Sequence, residues 1–586
     1  WQPPLKKKKR KKKKNSHVLR EAAEIAQLYR DQCRFPALCR ADVGPVITSR
    51  FGGQYCNVYT EWTQRDLERN ENVKFCRQYI VFHDDTSVVY SGPSGNCTEI
   101  KGEKLKCLNL TTLNKHGKVY EDDQFGCLIW SHSETHLLYV AEKKRPKTES
   151  YFQGQQFEYY EDWGEALVNK SSPVLCVLDI EGSNITVLEG IPADISPGQA
   201  FWSPNDTGLV FVGWWHEPFR LGLKYCANRR SSLFYVDLAS GKCEQLSSSS
   251  SAVCSPRLSP DHCRVVYMEC GVFGPHQQCN RLCMVCIFCV RVGFLPEKGS
   301  ESKVSWVTLE ETQPQADISW QTLNFSPPPE EDNSQYPGLD FNAILLKPKE
   351  TTAGSKLPLI VMPHGGPHSV LVSEWFLSTS VLCKMGFGVL LVNYRGSLGF
   401  GQDSILSLPG NIGTQDVKDV QLAVDSVLKH GDFDEQKIAV VGGSHGGFLA
   451  CHLIGQYPEF YKACVARNPV TNLASMIGST DIPDWCLVEA GYEYNTDIHL
   501  EPAILEQMLN KSPIKHVKTP VLLMLGEDDK RVPSKQGIEY YRALKALQVP
   551  VRLLWYPGNN HSLSKVDAES DGFMNSALWI IQHLSL

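Results

Sequence analysis

The sequence lacks any long hydrophobic run. The nearest candidate, Cys283 to Val290, stops at Arg291, far short of the roughly 18 apolar residues that a membrane-spanning helix needs. An apolar segment is also missing behind the nine consecutive basic residues at 6–14, where a signal peptide would carry one. These absences exclude a helical membrane protein and argue against a secretion signal. What remains, with 42% hydrophobic and 21% charged residues, is the composition of a globular protein.

Regularly spaced cysteines are absent as well. The chain has 21 cysteines, and an odd number at irregular spacing is not typical of a disulfide framework. We therefore expect reduced thiols and a cytoplasmic location. The cluster Cys279, Cys283, Cys286 and Cys289 has a spacing that could suggest zinc or an iron–sulfur centre. The residues around its last three cysteines are Met, Val, Ile and Phe, which favour a buried strand, so we expect neither a metal nor another cofactor.

The N-terminal end differs from the rest of the chain in charge. The basic run could be a nuclear address or a nucleic-acid-binding tail. We interpret residues 1–16 instead as a disordered or artefactual tail ahead of a natural start near residue 17. The formal net charge is −6, and leaving out the nine positive charges of the run gives −15, which argues against nucleic acid as a partner. Residues 17–49 contain "VLREAAEIAQLYRDQC" and predict a helical extension.

An internal repeat marks the middle of the chain. The stretches "FWSPNDTGLVFVGW" at 201–214 and "RLSPDHCRVVYME" at 257–269 share a Ser-Pro-Asn/Asp turn followed by an alternating strand, and "IWSHSETHLLYVAEK" at 129–143 resembles them. A β-sandwich would also contain hairpins, but not so regular a recurrence. The repeat therefore predicts an all-β propeller over 50–323. A chain of 586 residues also requires two or more domains.

The pattern changes after a proline-rich and acidic segment. Residues 324–340, "NFSPPPEEDNSQYPGLD", predict an extended linker. Beyond it, short apolar strands such as "LPLIVMP" and "KIAVVGG" alternate with amphipathic helical stretches. Alternation of this kind predicts a doubly wound, mostly parallel sheet covered by helices on both faces. We assign residues 341–586 to this second domain.

One predicted strand of the second domain ends in a G-x-S-x-G motif. The sequence at 440–450 is "VVGGSHGGFLA", an apolar strand followed at once by an apolar helical pattern. Gly442 and Gly446 lack a Cβ, so strand and helix can approach closely and Ser444 can project its hydroxyl from a strained turn. This is the context of a nucleophile elbow. The alternative is a glycine-rich turn with an incidental serine.

Two later strands end in the partners that a nucleophilic serine needs. The strand at 521–526 runs into Glu527, Asp528 and Asp529, and the strand at 551–557 is followed by His561. A neutral imidazole can take the serine proton, and a carboxylate can hold the imidazole and stabilise the imidazolium. The order serine, acid, histidine is that of α/β-hydrolases. Spacing alone leaves all three acids as candidates.

An oxyanion hole requires backbone N–H groups, each contributing about 3–4 kcal/mol to transition-state stabilisation. One donor is expected from His445, the residue after the nucleophile, whose ring we expect simply to pack beside the elbow. The second is expected from the loop after the strand "LIVM", where His364, Gly365 and Gly366 leave the backbone accessible.

Long stretches of the chain closely resemble the acylaminoacyl-peptidase family, a branch of the prolyl oligopeptidase family of serine peptidases. Among them are "GGSHGGFLACHLIGQYP", "ARNPVTNLASMIGSTDIPDWC", "VNYRGSLGFGQDSILSLPGN" and "MPHGGPH". The resemblance covers nearly the whole chain from about residue 18.

The resemblance implies a fold and an activity. A β-propeller would cap an α/β-hydrolase domain, and the enzyme would release an N-acylated, typically N-acetylated, amino acid from short blocked peptides. It would be cytoplasmic and homotetrameric, with no nucleic-acid or membrane partner. The family's triad corresponds to Ser444, Asp529 and His561, and its oxyanion glycine to Gly366. The resemblance thus selects Asp529, in "EDDKRVP", among the three acids.

The chain also departs from the family. A propeller of seven or eight blades needs well over about 300 residues, whereas only about 260 lie between residue 50 and the linker. The joints near 104–112, 270–292 and 512–520 are abrupt, so we expect a propeller short of blades. Two other functions remain open: another hydrolase of this fold, such as a dipeptidyl peptidase or an esterase, or a catalytically weakened copy that binds acyl-peptides.

Overall fold

The computed structural model describes most of the chain after the basic run. The described residues are 22–44, 46–50, 52–82, 88–93, 113–144, 157–216, 218–259, 262–286, 289–294, 317–351, 354–496, 500–513 and 517–585. The predicted tail at 1–16 and the predicted joint at 104–112 lie outside them, as do parts of the joints at 270–292 and 512–520. None of the described helices combines the length and the apolar character that crossing a membrane requires.

Four antiparallel sheets form the first half of the described chain. Their strands are β1 (Ala37–Val43), β2 (Ile47–Thr48), β3 (Gln54–Asp66), β4 (Glu71–Phe82) and β5 (Val88–Pro93) in the first sheet; β6 (Leu128–Trp130), β7 (His136–Glu142), β8 (Pro173–Asp179) and β9 (Asn184–Val187) in the second; β10 (Ile195–Trp202), β11 (Gly208–Trp215), β12 (Ser231–Asp237) and β13 (Cys243–Gln245) in the third; and β14 (Ala252–Leu258), β15 (Arg264–Cys270), β16 (Arg281–Cys286) and β17 (Cys289–Phe294) in the fourth. The last three sheets are four-stranded meanders, the blade architecture predicted from the repeat.

The repeated turn has a shared hydrogen-bonding pattern. In each copy a serine N–H donates to the carbonyl five residues later, and the serine Oγ accepts the N–H of that same residue, with N···O distances of 2.8–3.0 Å. The three pairs are Ser131–His136, Ser203–Gly208 and Ser259–Arg264. The serine thus closes the hairpin that joins the first two strands of each blade.

The three meanders share one hydrophobic core, whereas the first sheet has its own. Side chains from β7, β8, β11, β12 and β15 meet in a single buried cluster that includes Val140, Leu175, Val210, Leu233 and Val265. The first sheet buries a separate small cluster of Cys56, Val58, Tyr79 and Val81. A propeller-like domain joined to an α/β-hydrolase domain is therefore confirmed.

The cysteine cluster shows no metal site among the side chains that the structure describes. Cys283 is buried on β16, where its thiol donates to Glu269 Oε2 at 3.0 Å, and Cys279 is exposed in the preceding loop. The side chains of Cys286 and Cys289 lie outside the described residues.

The second domain contains an eight-stranded sheet of order β18-β19-β21-β20-β22-β23-β24-β25. Its strands are β18 (Ile318–Phe325), β19 (Phe341–Pro348), β20 (Leu357–Pro363), β21 (Gly388–Asn393), β22 (Phe433–Gly443), β23 (Ala463–Arg467), β24 (Val521–Gly526) and β25 (Val551–Tyr556). The strands from β21 to β25 in this order pair in parallel, and β18 and β19 add an antiparallel edge.

Helices cover both faces of this sheet, as predicted. They are α1 (residues 22–33), α2 (Leu377–Lys384), α3 (Gln402–Leu406), α4 (Gln415–Leu428), α5 (His445–Gln456), α6 (Leu473–Met476), α7 (Pro483–Ala490), α8 (Pro502–Asn510), α9 (Lys535–Ala546) and α10 (Val566–Leu584). One face of the sheet packs with α4 and α5 and the other with α2 and α10. Helix α1 belongs to this domain, because Tyr29 stacks on Phe573 of α10 and packs with Leu377 and Val381 of α2.

Two predicted boundaries differ from the structure. The predicted propeller end at residue 323 falls inside β18, which pairs with β19 of the hydrolase sheet. The predicted helical extension at 17–49 contains β1, which pairs with β3 of the first sheet. Alternating sequences such as "ISWQTLNF" fit the edge of either sheet equally well, so pattern alone does not assign them to a domain.

Candidate active site

Ser444 occupies a strained turn between β22 and α5. Its backbone angles are φ 58° and ψ −124°, a region that costs energy for any residue with a side chain. The two flanking glycines are required by space: a Cβ on Gly442 would lie 2.0 Å from the carbonyl oxygen of Gly446, and one on Gly446 would lie 2.4 Å from that of Pro363. The turn therefore has the geometry of a nucleophile elbow.

The structure brings Asp529 and His561 together. The loop after β24 carries Asp529 and the loop after β25 carries His561, and His561 Nδ1 lies 2.7 Å from Asp529 Oδ2. The buried carboxylate also accepts the Val532 N–H at 2.8 Å. The side chains of Glu527 and Asp528 are exposed. Of the three acids that spacing left open, Asp529 is therefore the one that contacts the histidine.

Ser444 and His561 line the same cavity of about 320 Å³. No hydrogen bond joins the Ser444 hydroxyl to the His561 ring among the described residues, a looseness common in ligand-free sites, where catalytic bonds tighten on substrate binding. Gly365, Gly366 and Trp485 line the cavity as well.

The glycine loop after β20 lies directly against the elbow. A Cβ on Gly365 would lie 3.2 Å from Ser444 Cβ, and Gly366 adopts a φ of +124° that favours glycine. The Gly366 carbonyl accepts a hydrogen bond from Trp485 Nε1 at 3.1 Å. His364 is held at both ring nitrogens, by the Ser397 hydroxyl at 2.7 Å and the Gly365 carbonyl at 2.6 Å. Burial lowers the pKa of His364 to about 4, so this side chain is neutral near pH 7.

His445 contributes more than the packing that we expected of its ring. As the first residue of α5, it has one of the N–H groups that a helix leaves without an intrahelical partner. Its fully buried ring lies 2.9 Å, Nε2 to Oδ2, from Asp416 of α4 and stacks on Phe448. Sequence reasoning missed Asp416, whose only signal was an acid at the start of an amphipathic helix.

A second residue that sequence reasoning missed comes from the propeller domain. Glu165, in the loop before β8, is buried, and its two carboxylate oxygens accept the backbone N–H groups of His561 and Lys530, each at 3.0 Å. Burial, and next the charge of Asp529, raise the pKa of this carboxyl. Glu165 therefore contacts both loops that carry the predicted acid and histidine.

A buried ion pair and a hydrogen bond to a buried carboxylate join the two domains around this contact. Arg229 of the propeller pairs with Asp484 of α7 at 2.6 Å, with both side chains buried. Asp481 forms an ion pair with Arg531, Oδ1 to Nε at 2.8 Å, and its Oδ2 accepts the Glu165 N–H at 2.8 Å. Two propeller glycines make room for this contact, because a Cβ on Gly164 or Gly222 would lie 2.4 or 2.2 Å from Asp481 Oδ2.

Comparisons with known proteins find matches to both domains of the chain. Residues 374–586 match the prolyl oligopeptidase family, and residues 99–269 match the N-terminal domain of acylamino-acid-releasing enzymes. The chain is 50% identical to the acylamino-acid-releasing enzymes of Rattus norvegicus and Homo sapiens, over 97% of this chain and 99% of each relative. Each alignment spans 725 positions, against 586 residues here, so these relatives contain segments that this chain lacks.

A solved structure shares the fold. An acylaminoacyl peptidase of Pyrococcus horikoshii superposes with a TM-score of 0.65 at 15% identity, over 95% of this chain and 97% of that one. A second crystal structure of the uncomplexed Pyrococcus protein gives a TM-score of 0.58.

Proposed function

Because the chain belongs to the prolyl oligopeptidase family of serine peptidases, and within it to the acylamino-acid-releasing enzymes, we propose that it removes an N-acylated amino acid from short blocked peptides. The acyl group is typically acetyl. The observation that carries this proposal is the 2.7 Å contact between His561 and Asp529 on the cavity that Ser444 also lines.

Each residue of the site has a defined role in the proposed reaction. His561 takes the proton of Ser444 as its oxygen attacks the carbonyl of the acylated residue, and Asp529 stabilises the imidazolium that forms. The backbone N–H groups of His445 and Gly366 bind the oxyanion of the tetrahedral intermediate. The imidazolium then protonates the departing amine, which leaves an acyl-enzyme. Water, deprotonated by His561, hydrolyses that ester and releases the acylated amino acid.

The cavity wall supports an uncharged substrate N-terminus. Among the described residues that line the cavity there is no carboxylate, whereas a site for a free amino terminus needs one to pair with the ammonium. Leu398, Val470, Met476 and Ile482 supply apolar surface there, which suits an acyl group and a small side chain. This favours acylated peptides over the substrates of a dipeptidyl peptidase.

Hydrolysis of matched anilides tests the substrate class. Acetyl-alanine anilide should be cleaved far faster than alanine anilide or a dipeptidyl anilide with a free amine. Faster cleavage of the free-amine compounds would favour a dipeptidyl peptidase, and cleavage of short esters alone would favour an esterase.

Replacement of the nucleophile tests the mechanism. Ser444→Ala should lower acetyl-alanine anilide hydrolysis by at least about three decades, with a residual rate from the oxyanion hole, and should abolish labelling by a fluorophosphonate. Ser369→Ala removes a hydroxyl from the same cavity and should keep most of the activity. If wild-type protein neither reacts with the probe nor turns over, the chain is a binding copy.

Location and assembly complete the proposal. We propose a cytoplasmic homotetramer that acts on peptides without a nucleic-acid or membrane partner. The free thiols of the described cysteines support a reducing compartment, and the tetramer rests on the family resemblance. Light scattering coupled to size exclusion measures the assembly, and a monodisperse monomer would contradict it.

A further inference from the structure

Three buried side chains converge beside the catalytic cavity without a role in the proposed reaction. His276 lies in the propeller loop after β15, His368 in the loop after β20 and Glu489 on α7, so the group spans both domains. Their nearest ligand-capable atoms all lie within 4.8 Å of one another. All three side chains are buried, at 8%, 0% and 0% exposure. His276 and His368 also line the cavity.

Two atoms of this group have no hydrogen-bond partner among the residues that the structure describes. They are His276 Nδ1 and Glu489 Oε2. A buried polar atom without a partner costs about 1–3 kcal/mol, and more when it belongs to a charged group. Two such atoms in one cluster indicate a bound ligand that contacts both.

The orientation of His368 also indicates a ligand. Its Nδ1 lies 2.8 Å from the Gly396 carbonyl, to which it donates its hydrogen. In the neutral ring Nε2 then carries a lone pair, and it points at Glu489 Oε1, another acceptor, 3.1 Å away. Two acceptors at this distance need a proton or a cation between them. An imidazole that donates one N–H to a backbone carbonyl and presents the lone pair of its other nitrogen is the usual arrangement of a metal ligand.

We propose that His276, His368 and Glu489 form a zinc site that joins the propeller to the hydrolase domain. Two imidazoles and one carboxylate are the ligand set of many zinc sites that keep a fourth position open. Ligand atoms around tetrahedral zinc lie about 3.3 Å apart, so binding needs to draw any pair of these atoms closer by at most about 1.5 Å. The nearby cations do not oppose the metal, because Arg229 and Arg531 are paired with Asp484 and Asp481.

Cobalt substitution tests the site in the full-length chain. Chelator-treated protein titrated with Co²⁺ should bind one ion per chain with the visible d–d absorption of a tetrahedral nitrogen and oxygen site. Cobalt bound by cysteine thiolates would give a near-ultraviolet band, and this band should be absent. Zn²⁺ should displace the cobalt, since it binds such ligands more tightly.

Three variants locate the bound ion. His276→Asn and Glu489→Gln should each weaken Co²⁺ binding at least about 100-fold, because each removes or weakens a ligand. His561→Asn removes the other cavity imidazole and should bind Co²⁺ as the wild type does. Circular dichroism checks each fold, and His276→Asn decides alone if the buried Glu489 variant does not fold, since His276 lies in a loop. Unchanged binding by His276→Asn, loss in His561→Asn, thiolate bands only, or no bound cobalt would overturn the proposal.

Discussion

Replacing Glu165 with glutamine turns one of its two acceptor oxygens into an amide group that can only donate. In the native protein one oxygen accepts the His561 N–H and the other the Lys530 N–H, each at 3.0 Å. Hydrogen bonds to a charged group contribute about 1.5–3 kcal/mol. The amide oxygen still accepts one of the two N–H groups, in a weaker neutral hydrogen bond, whereas the amide NH2 faces the other N–H and cannot accept it. We therefore expect the interaction between Glu165 and the two loops to weaken by about 2–3 kcal/mol.

The loss should appear in kcat rather than in KM. Glu165 does not line the cavity among the described residues, so ground-state binding of a short peptide should change little. The distance from the His561 ring to the Ser444 hydroxyl, in contrast, depends on the position of the His561 backbone. Loosening a catalytic group by about 1 Å costs up to about 100-fold, so we expect kcat to fall about 10- to 100-fold.

Steady-state hydrolysis of acetyl-alanine anilide measures both constants, with Glu161→Gln as the matched control. Glu161 lies in the same loop, but its carboxylate accepts the Arg220 N–H and does not bind the catalytic loops. The control should keep a near-normal kcat. An equal loss in both variants, or a rise in KM alone, would refute the positioning role.

The pH profile separates positioning from simple destabilisation. The raised pKa of Glu165 means that falling pH protonates this carboxyl earlier than an ordinary glutamate and removes an acceptor from one N–H. The wild type should therefore lose kcat more steeply on the acid side than Glu165→Gln, which has no such ionisation. Parallel profiles would contradict this reasoning.

Three further predictions follow from the geometry of the site and the sheets. Asp529→Asn should lower turnover by about four decades through the wrong His561 tautomer, while Asp528→Asn, at an exposed position, should be far milder; the reverse order would contradict the assignment. Burial lowers the pKa of both His364 and His452 to about 4. Below about pH 6.5 both histidines are therefore protonated in the unfolded chain while they remain neutral in the folded chain. Each should lower the free energy of unfolding by about 2 kcal/mol as the pH falls from 7 to 5. Urea unfolding of His452→Asn should show about half of the combined loss, and an unchanged pH dependence would contradict it. The edge strand Leu128–Trp130 exposes apolar side chains, so the chain alone should form species larger than the proposed tetramer on size exclusion. Leu128→Lys should reduce these larger species without altering turnover of a short substrate, and a wild type that elutes only as a tetramer or a smaller species would refute this.

The parts of the site that are local in sequence could be predicted, and the parts that depend on domain packing could not. The elbow at Ser444 combines a strand, a turn and a helix within a dozen residues, and Asp529 and His561 each follow a recognisable apolar strand. The choice of Asp529 over Glu527 and Asp528 required the family resemblance, because neighbouring loop residues differ only in the direction of their side chains. The contact distance now gives a physical basis for that choice.

Glu165 is separated by 365 and 396 residues from Lys530 and His561, whose loops it contacts, and His276 also lies in a different domain from its neighbours His368 and Glu489. No periodicity or spacing connects a propeller loop to a catalytic loop of another domain, so both remained unassigned. The end of the propeller was misplaced for a related reason. Strand Ile318–Phe325 is an edge strand with alternating polarity, and the partner that it pairs with decides its domain.

The serine-closed hairpins at Ser131, Ser203 and Ser259 have a consequence for how such a domain evolves. Each of these serines makes its two hydrogen bonds within its own hairpin, and the backbone ladders run within each sheet, so no β-ladder crosses from one blade to the next. Deleting a blade between two such units therefore breaks no ladder, but it removes hydrogen bonds between blades such as those from the His132 and Ser133 N–H groups to the Asp206 carboxylate. It also removes apolar side-chain contacts between blades, and a new neighbour of matching surface can restore both kinds of contact. Genes of this architecture can therefore gain or lose whole repeats in one step while the catalytic domain continues to fold on its own sheet.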